Sequence, residues 1–155
     1  MAEGYMTQEE FLKNRHYSSV FAERGIPNVA IIDAWDIYDG ERLKLVFEEK
    51  NSEWSQGVWM LTDRGIVVGD VLCPSAAIWQ NAAPPEVILE CHTTDGKLSV
   101  YNIWDEEDGY GQQSQGHTSG MLIEELPNGR RYRCNDYGFD TNFDKLVFRI
   151  ERMNS

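Results

Sequence analysis

The 155-residue sequence lacks the features that mark disulfide-stabilised, membrane-spanning and secreted proteins. Its three cysteines, Cys73, Cys91 and Cys134, are odd in number and unpaired in spacing, which excludes a disulfide framework and is typical of free thiols. No apolar run approaches the roughly 18 residues that a spanning helix needs. The N-terminus shows no basic segment followed by an apolar one. We therefore expect a cytoplasmic protein without a signal peptide.

Basic residues are scarce in the middle of the chain. The formal net charge is −12, and residues 51–129 contain 12 acidic residues against only Arg64 and Lys97. A negative field of this kind disfavours nucleic acid and anionic membranes as partners and favours a cationic one, although it also serves solubility alone. With 41% hydrophobic residues and five tryptophans, the chain has enough apolar material for one folded domain over residues 1–155.

The sequence also lacks the short motifs that identify common enzyme and cofactor sites. Its histidines, His16, His92 and His117, form no His-x-x-x-His pair, and there is no Cys-x-x-Cys, Gly-x-Ser-x-Gly or phosphate-binding glycine loop. We therefore expect no cofactor, and the sequence leaves catalysis open while favouring a role that is not enzymatic. His117 is the best candidate for a general base, because a loop over a rigid sheet can place it in a pocket.

A weak metal-binding pattern lies near the C-terminus, where Asp136, Asp140 and Asp144 recur every four residues. Oxygen ligands of this kind are what calcium takes. Their order does not match an EF-hand loop, and aspartates beside a glycine or at the start of a strand are also ordinary turn and cap residues. We expect no metal ion here and keep the three residues as weak candidates.

The hydrophobic periodicity changes along the chain and predicts a β-rich α+β fold. Thr7 and Glu10 form a capping box that begins a helical segment over residues 7–24, either one helix or two short helices separated near Ser18. Beyond it the apolar residues alternate with a period of two, which predicts about nine antiparallel strands over residues 28–152. Strands at this spacing form a barrel or a sandwich.

Turn signals divide the predicted strands. The Asp-Gly pair at 39–40 predicts a hairpin, and residues 63–65 and 95–96 predict turns between successive strands. Residues 73–85 predict a long connection, because their prolines exclude a central strand, and residues 75–80 could form one helical turn within it.

A hairpin is also predicted around Pro127, Asn128 and Gly129. A three-residue loop places Glu125 opposite Arg131, whereas a two-residue Asn-Gly loop places Glu124 opposite Arg133. Either register puts a carboxylate across from a guanidinium, an exposed pair worth roughly 0.2–1 kcal/mol. An anion site built from the arginines of this hairpin is the alternative.

The loop over residues 105–118 is the richest in candidate binding residues. Its four consecutive acids repel one another, and the nearest base before them in sequence is Lys97. Its glycines add backbone freedom, so we expect a mobile loop whose acids act on a partner. The candidate binding residues are Asp105, Glu106, Glu107, Asp108, Trp54, Trp79 and Tyr110.

These observations predict an acidic binding protein, of the inhibitor or immunity type, that binds a basic protein partner by electrostatic steering and aromatic anchoring. The alternative is a β-barrel that binds a small apolar ligand in a pocket lined by tryptophan and tyrosine, with His117 serving an isomerase or hydrolase. A deep cavity would favour the ligand-binding barrel, and a filled core with an acidic face would favour the protein-binding one.

Overall fold

The N-terminal part of the chain forms two short helices, as one of the two predicted alternatives has it. The computed structural model describes residues 7–153. The predicted capping box is present, since Glu10 N donates to Thr7 Oγ1 at 3.1 Å, and Ser18 caps the second helix. The elements are α1 (Gln8–Leu12), β1 (His16–Tyr17) and α2 (Ser19–Glu23).

Among the described residues, no helix has the length and apolar character to cross a membrane.

Ten further strands follow the second helix, so β-structure dominates as the periodicity predicted. They are β2 (Val29–Asp36), β3 (Glu41–Lys50), β4 (Ser55–Val68), β5 (Val71–Trp79), β6 (Glu86–Cys91), β7 (Lys97–Asp105), β8 (Gln112–Ser114), β9 (Gly120–Leu126), β10 (Gly129–Asn135) and β11 (Leu146–Arg152).

Eight of these strands close into an antiparallel barrel. The order around the barrel is β2-β9-β10-β11-β3-β6-β4-β7, and pairing between β7 and β2 completes the ring. The strands β1, β5 and β8 lie outside the ring and pair with β2, β4 and β7 respectively. Of the two predicted architectures, the barrel is therefore the one formed.

Two pairs of successive strands run end to end instead of folding back on each other. β2 pairs with β7 and β3 pairs with β6, so that Asp36 lies opposite Lys97 and Glu41 lies opposite Cys91. The hairpin predicted at residues 39–40 is therefore wrong. The turn predicted at 95–96 is a bend between two collinear strands, β6 and β7, which both pair with β4.

Backbone hydrogen bonds between the two bends keep β2 in line with β3 and β6 in line with β7. Gly40 N donates to Cys91 O at 2.7 Å, and Ile37 N donates to Gly96 O at 2.9 Å. Both glycines have left-handed φ values, 85° and 76°, which let the chain change direction here. The turn predicted at residues 63–65 is also wrong, because β4 runs through it as one strand with an irregularity between Leu61 and Ile66. We call residues 37–40, 62–65 and 92–96 the corner of the barrel.

The fifth strand occupies residues that were predicted to form a long connection. β5 pairs with β4 from Val71 to Trp79, so neither the connection over 73–85 nor the helical turn at 75–80 is correct for these residues. Pro74 is accommodated because β5 pairs only with β4 and the proline lies where the register shifts, next to the pair Leu61–Ser75.

The β9–β10 hairpin has a register that neither prediction gave. Leu126 pairs with Gly129, so the loop consists of Pro127 and Asn128 alone. Gly129 is needed for close approach rather than for the turn, because a Cβ there would lie 2.0 Å from Ile150 O. A carboxylate does lie across from a guanidinium, but with other partners than predicted: Arg130 contacts Glu125 and Arg131 contacts Glu124. Both arginines are thereby neutralised, which argues against the alternative anion site.

Large side chains fill the barrel interior. The rings of Tyr132 and Phe148 stack with their centroids 4.7 Å apart, and Trp35 Nε1 donates to Tyr132 Oη at 2.7 Å. The largest fully buried side chains are those of Trp35, Tyr132, Phe21, Phe148, Ile32, Leu43, Leu45, Met60, Ile66, Leu89, Leu98 and Ile103. A smaller apolar cluster of Phe21, Val29 and Phe143 forms where α2 packs.

β2 and β9 pair only through Val29 and Ala30 of β2, so the two strands separate beyond Ala30. A buried charged network lies beside this part of β2. Asp33 is fully buried and accepts hydrogen bonds from Arg15 Nε at 2.7 Å, from Arg130 Nη1 at 2.9 Å and from Tyr132 Oη. Burial and the neighbouring carboxylate raise the pKa of Tyr132 well above its ordinary value.

Candidate functional site

Three loops meet at one end of the barrel. Ser52 Oγ donates to Asp136 Oδ2 at 3.1 Å, and Asn51 Nδ2 donates to Asp144 O at 3.0 Å. Gly138 N donates to Thr118 Oγ1 at 2.7 Å. These bonds hold residues 51–54, 106–119 and 136–145 together, and we call this surface the loop end.

The four consecutive acids lie at the tip of a β7–β8 hairpin. The loop predicted over residues 105–118 contains a short strand, because Gln112–Ser114 pairs back onto β7. Asp105 Oδ1 accepts from Glu107 N at 2.8 Å and Asp108 Oδ1 accepts from Tyr110 N at 3.0 Å, so the two aspartates also shape the tip. Within residues 7–153 none of the four acids forms an ion pair with lysine or arginine.

Tyr110 stands at the same tip with 83% of its surface exposed. Tyr137, on the neighbouring loop, is 70% exposed and was not predicted as a binding residue. Exposed tyrosines are favourable contact groups at protein interfaces. The loop end therefore combines acids without basic partners and accessible aromatic rings.

A pocket of about 370 Å³ lies beside Trp54, whose ring meets the Tyr137 ring edge-on at 6.4 Å. Trp79 is placed differently from the prediction. It ends β5 and lies across Gly57, where a Cβ would be 3.1 Å from Trp79 Cε3, and it lines neither loop-end pocket.

A second pocket, of about 460 Å³, opens between the β7–β8 hairpin and the loop over 136–145. His117 lines it, with its ring edge-on to Phe139 at 6.2 Å between centroids. In the described chain the His117 ring makes no hydrogen bond, so no nucleophile is paired with it. The lining residues are Trp104, Glu106, Gln113, Gly116, His117, Thr118, Asp136, Tyr137, Gly138 and Phe139.

Asp136 forms part of the wall of both pockets and is itself 3% exposed. Its Oδ2 accepts from Gln56 Nε2 at 2.8 Å and from Ser52 Oγ, and its Oδ1 accepts from Tyr137 N at 2.7 Å. The sequence indicated Asp136 only as a weak metal ligand. It gave no signal for Gln56, which lies 80 residues away in the chain.

The three aspartates of the weak metal pattern do not come together around one point. Asp136 is buried against Gln56, Asp140 is exposed, and Asp144 contributes its backbone carbonyl to Asn51. Among residues 7–153 no group of three or more histidine, cysteine or carboxylate side chains has the geometry to hold a metal ion.

Charge is distributed unequally between the loop end and the rest of the barrel. Five arginines elsewhere in the described chain are held by carboxylates, and two of them, Arg131 and Arg149, contact Glu48 at 2.7 and 2.9 Å. Hydrogen bonds from Arg131 and Arg149 lower the pKa of Glu48 despite its partial burial. The loop end contains one lysine, Lys145, against seven acids, namely Glu53, Glu106, Glu107, Asp108, Asp136, Asp140 and Asp144.

Comparison with protein-family models, with curated proteins and with solved structures finds no significant match to this chain.

Proposed function

We propose that this protein is a binding protein of the inhibitor or immunity type, and that its loop end binds the basic surface of a protein partner. One observation carries the proposal: the acids of the β7–β8 tip have no lysine or arginine partner in the described chain, whereas five arginines elsewhere are held by carboxylates. Charges that are not used by the fold remain available to a partner.

The binding mechanism has two components. The field of the acids accelerates encounter with a cationic surface, an effect that salt screens. The exposed rings of Tyr110 and Tyr137, together with Trp54, then supply the apolar contact that slows dissociation. A cytoplasmic location is part of the proposal, and the three free cysteines support it.

The test compares two variants that remove the same charge from different surfaces. In the first, Glu106→Gln and Glu107→Gln neutralise the tip and leave the turn-forming aspartates unchanged. In the second, Asp70→Asn and Glu90→Gln neutralise two acids beside Arg42, where a separate groove lies outside the loop end. Partners are isolated on the immobilised protein, and association rates of the purified partner are then measured by surface plasmon resonance at low and at high salt.

We expect the tip variant to slow association about tenfold at low salt, with little difference remaining at high salt. The control variant should change the rate much less. Equal slowing by both variants would show that net charge alone attracts the partner, and the loop end would then have no special role.

A second candidate function is supported by the pocket that His117 lines. Its aromatic walls and its volume of about 460 Å³ suit a small ligand, with His117 as a general base. The pocket lies at the surface, while the barrel interior holds packed side chains such as Trp35 and Phe148. A His117→Ala variant that binds partner normally but loses turnover of a small ester or enolisable ketone would support this candidate over the first.

A further inference from the structure

Three carboxylate side chains are buried in the described chain, and two of them, Asp33 and Glu41, have arginine partners. Asp33 is 0% exposed, while Glu41 and Asp136 are each 3% exposed. Asp33 lies 2.7 Å from Arg15 Nε and 2.9 Å from Arg130 Nη1. Glu41 Oε2 lies 2.7 Å from Arg152 Nη1.

Asp136 has no such cation. Within residues 7–153 it forms no ion pair with lysine or arginine, and its hydrogen bonds come from three neutral donors, Gln56 Nε2, Ser52 Oγ and Tyr137 N. Taking a carboxylate out of water is strongly unfavourable unless a cation and hydrogen bonds compensate. The fold supplies guanidinium groups to its other two buried carboxylates and none to this one.

The surroundings of Asp136 also contain more acceptors than donors. Gln56 Oε1 and Asn135 Oδ1 are buried and have no hydrogen-bond donor in the described chain. Exchanging the oxygen and nitrogen of either side-chain amide does not remove the unsatisfied acceptor. The flipped Gln56 would turn its oxygen to the Asp136 carboxylate, and the flipped Asn135 would turn its oxygen to the carbonyls of Thr118 and Gly138. Neither amide lines the pocket, so these oxygens lie behind its wall and add to the negative potential around Asp136.

We propose that the pocket of about 460 Å³ between the β7–β8 hairpin and the loop over 136–145 binds a guanidinium group. This group is the side chain of an arginine on the protein partner. Glu106 adds a second carboxylate to the lining, and Trp104 provides an aromatic wall on which a planar cation stacks. One face of the other aromatic ring of the lining, Phe139, already carries the guanidinium of Arg24, 3.5 Å from the ring centroid. No lysine or arginine lines the pocket in the described residues.

This inference rests on the proposed function for the source of the arginine, but its chemistry can be tested without the partner. The probes are the acetyl methylamides of arginine, lysine and citrulline, since citrulline has nearly the shape of arginine and no charge. Binding is followed by two-dimensional amide NMR. We expect arginine to shift the signals of Gly116, Thr118 and Gly138 and the indole signal of Trp104 in a saturable way, lysine to do so more weakly, and citrulline not at all. Equal shifts with citrulline would overturn the proposal.

Two pocket variants and a control locate the binding. Asp136→Asn removes the charge, and Gly116→Leu fills the pocket from a position where a Cβ would lie 3.5 Å from Trp104 Cη2, an ordinary contact. Each should raise the dissociation constant of the arginine probe about tenfold or more. The control, Glu53→Gln, removes one charge from the neighbouring pocket and should change it less than about twofold. Unchanged affinity in Gly116→Leu would overturn the proposal even if Asp136→Asn fails to fold.

The two proposals fail in different ways. If the arginine probe does not bind but basic partners still bind through the β7–β8 tip, the guanidinium pocket is wrong and the proposed function stands. If the probe binds and the Glu106→Gln, Glu107→Gln variant associates with a partner as fast as the wild type, the pocket stands and the electrostatic role of the tip is wrong.

Discussion

Tyr132 on β10 donates its phenolic hydrogen to Asp33 on β2, and the same oxygen accepts a hydrogen bond from Trp35 Nε1. The two residues are 99 positions apart in the chain, and their bond joins strands that do not pair with each other. Tyr132 therefore satisfies one buried donor and one buried carboxylate at the same time.

The variant Tyr132→Phe should destabilise the protein by about 1–3 kcal/mol, because it leaves the Trp35 indole N–H buried without an acceptor. Urea unfolding followed by tryptophan fluorescence measures the loss. The matched control is Tyr101→Phe, which removes a phenolic oxygen from a half-buried ring stacked on Trp59 outside the barrel. An equal loss of unfolding free energy in the two variants would show that the hydrogen bonds of Tyr132 stabilise the protein no more than an ordinary phenolic oxygen does.

Stability should fall in acid because of the aspartates at the corner. A backbone hydrogen bond from Thr93 lowers the pKa of Asp39. Burial opposes ionisation of Asp63, but hydrogen bonds from Thr94 and Thr93 outweigh it and lower its pKa as well. Because these pKa values are lower in the folded protein, the stabilisation is complete above the unfolded value of about 4 and is lost as the pH falls through the folded values.

Urea unfolding between about pH 7 and pH 2.5 checks this dependence. The variant Asp63→Asn keeps an oxygen that accepts from Thr94 N but cannot be protonated in this range, so its stability should fall less steeply below about pH 4. An identical slope in the variant would show that the acid sensitivity comes from other carboxylates.

Close approach of β10 to β11 should make Gly129 intolerant of substitution. A Cβ there would lie 2.0 Å from Ile150 O, so Gly129→Ala must push two paired strands apart and should cost more than about 2 kcal/mol. At Gly116 a Cβ meets nothing closer than 3.5 Å, and Gly116→Ala should stay within about 0.5 kcal/mol of the wild type. Thermal unfolding compares them, and a harmless Gly129→Ala would contradict the observed strand spacing.

Only one of the three cysteines should react rapidly in the native protein. Burial raises the pKa of the Cys91 thiol to about 12 and that of Cys134 well above its ordinary value, whereas Cys73 is partly exposed on the edge strand β5. Ellman's reagent at pH 8 should therefore titrate one thiol in buffer and three in denaturant. Fast reaction of Cys91 or Cys134 would indicate frequent opening of the barrel.

The elements of the fold were predictable where the deciding contacts are local. The capping box at Thr7 and the alternation of apolar residues identified the helical N-terminal segment and the strands of the ring, but not the three outer strands β1, β5 and β8. The Asp-Gly pair at 39–40 was misinterpreted because the same local chemistry serves a hairpin and a bend, and the choice is made by Cys91, about 50 residues away, which accepts from Gly40 N. The register at Gly129 depends likewise on Ile150, which the hairpin sequence does not contain.

The candidate site divides in the same way. The acids at 105–108 were found from sequence because a run of like charges is visible in any window of the chain. His117 and Trp54 were found by their type and their loop positions. The burial of Asp136 without a cationic partner could not be predicted from the sequence. It depends on packing against Gln56 and on which arginines the fold brings near, and no motif encodes either.

The strand order divides the ring between an early and a late piece of the chain. β2, β3, β4, β6 and β7 are neighbours in the ring, and β9, β10 and β11 supply the remaining three strands. The ring closes through β11, whose Arg149 contacts Glu48 of β3 across 101 residues of sequence. During translation the outer edge of β3 therefore stays unpaired until β11 has left the ribosome. A nascent chain stopped after β7 exposes two strand edges, and we expect it to depend on chaperones to a degree that the finished barrel does not.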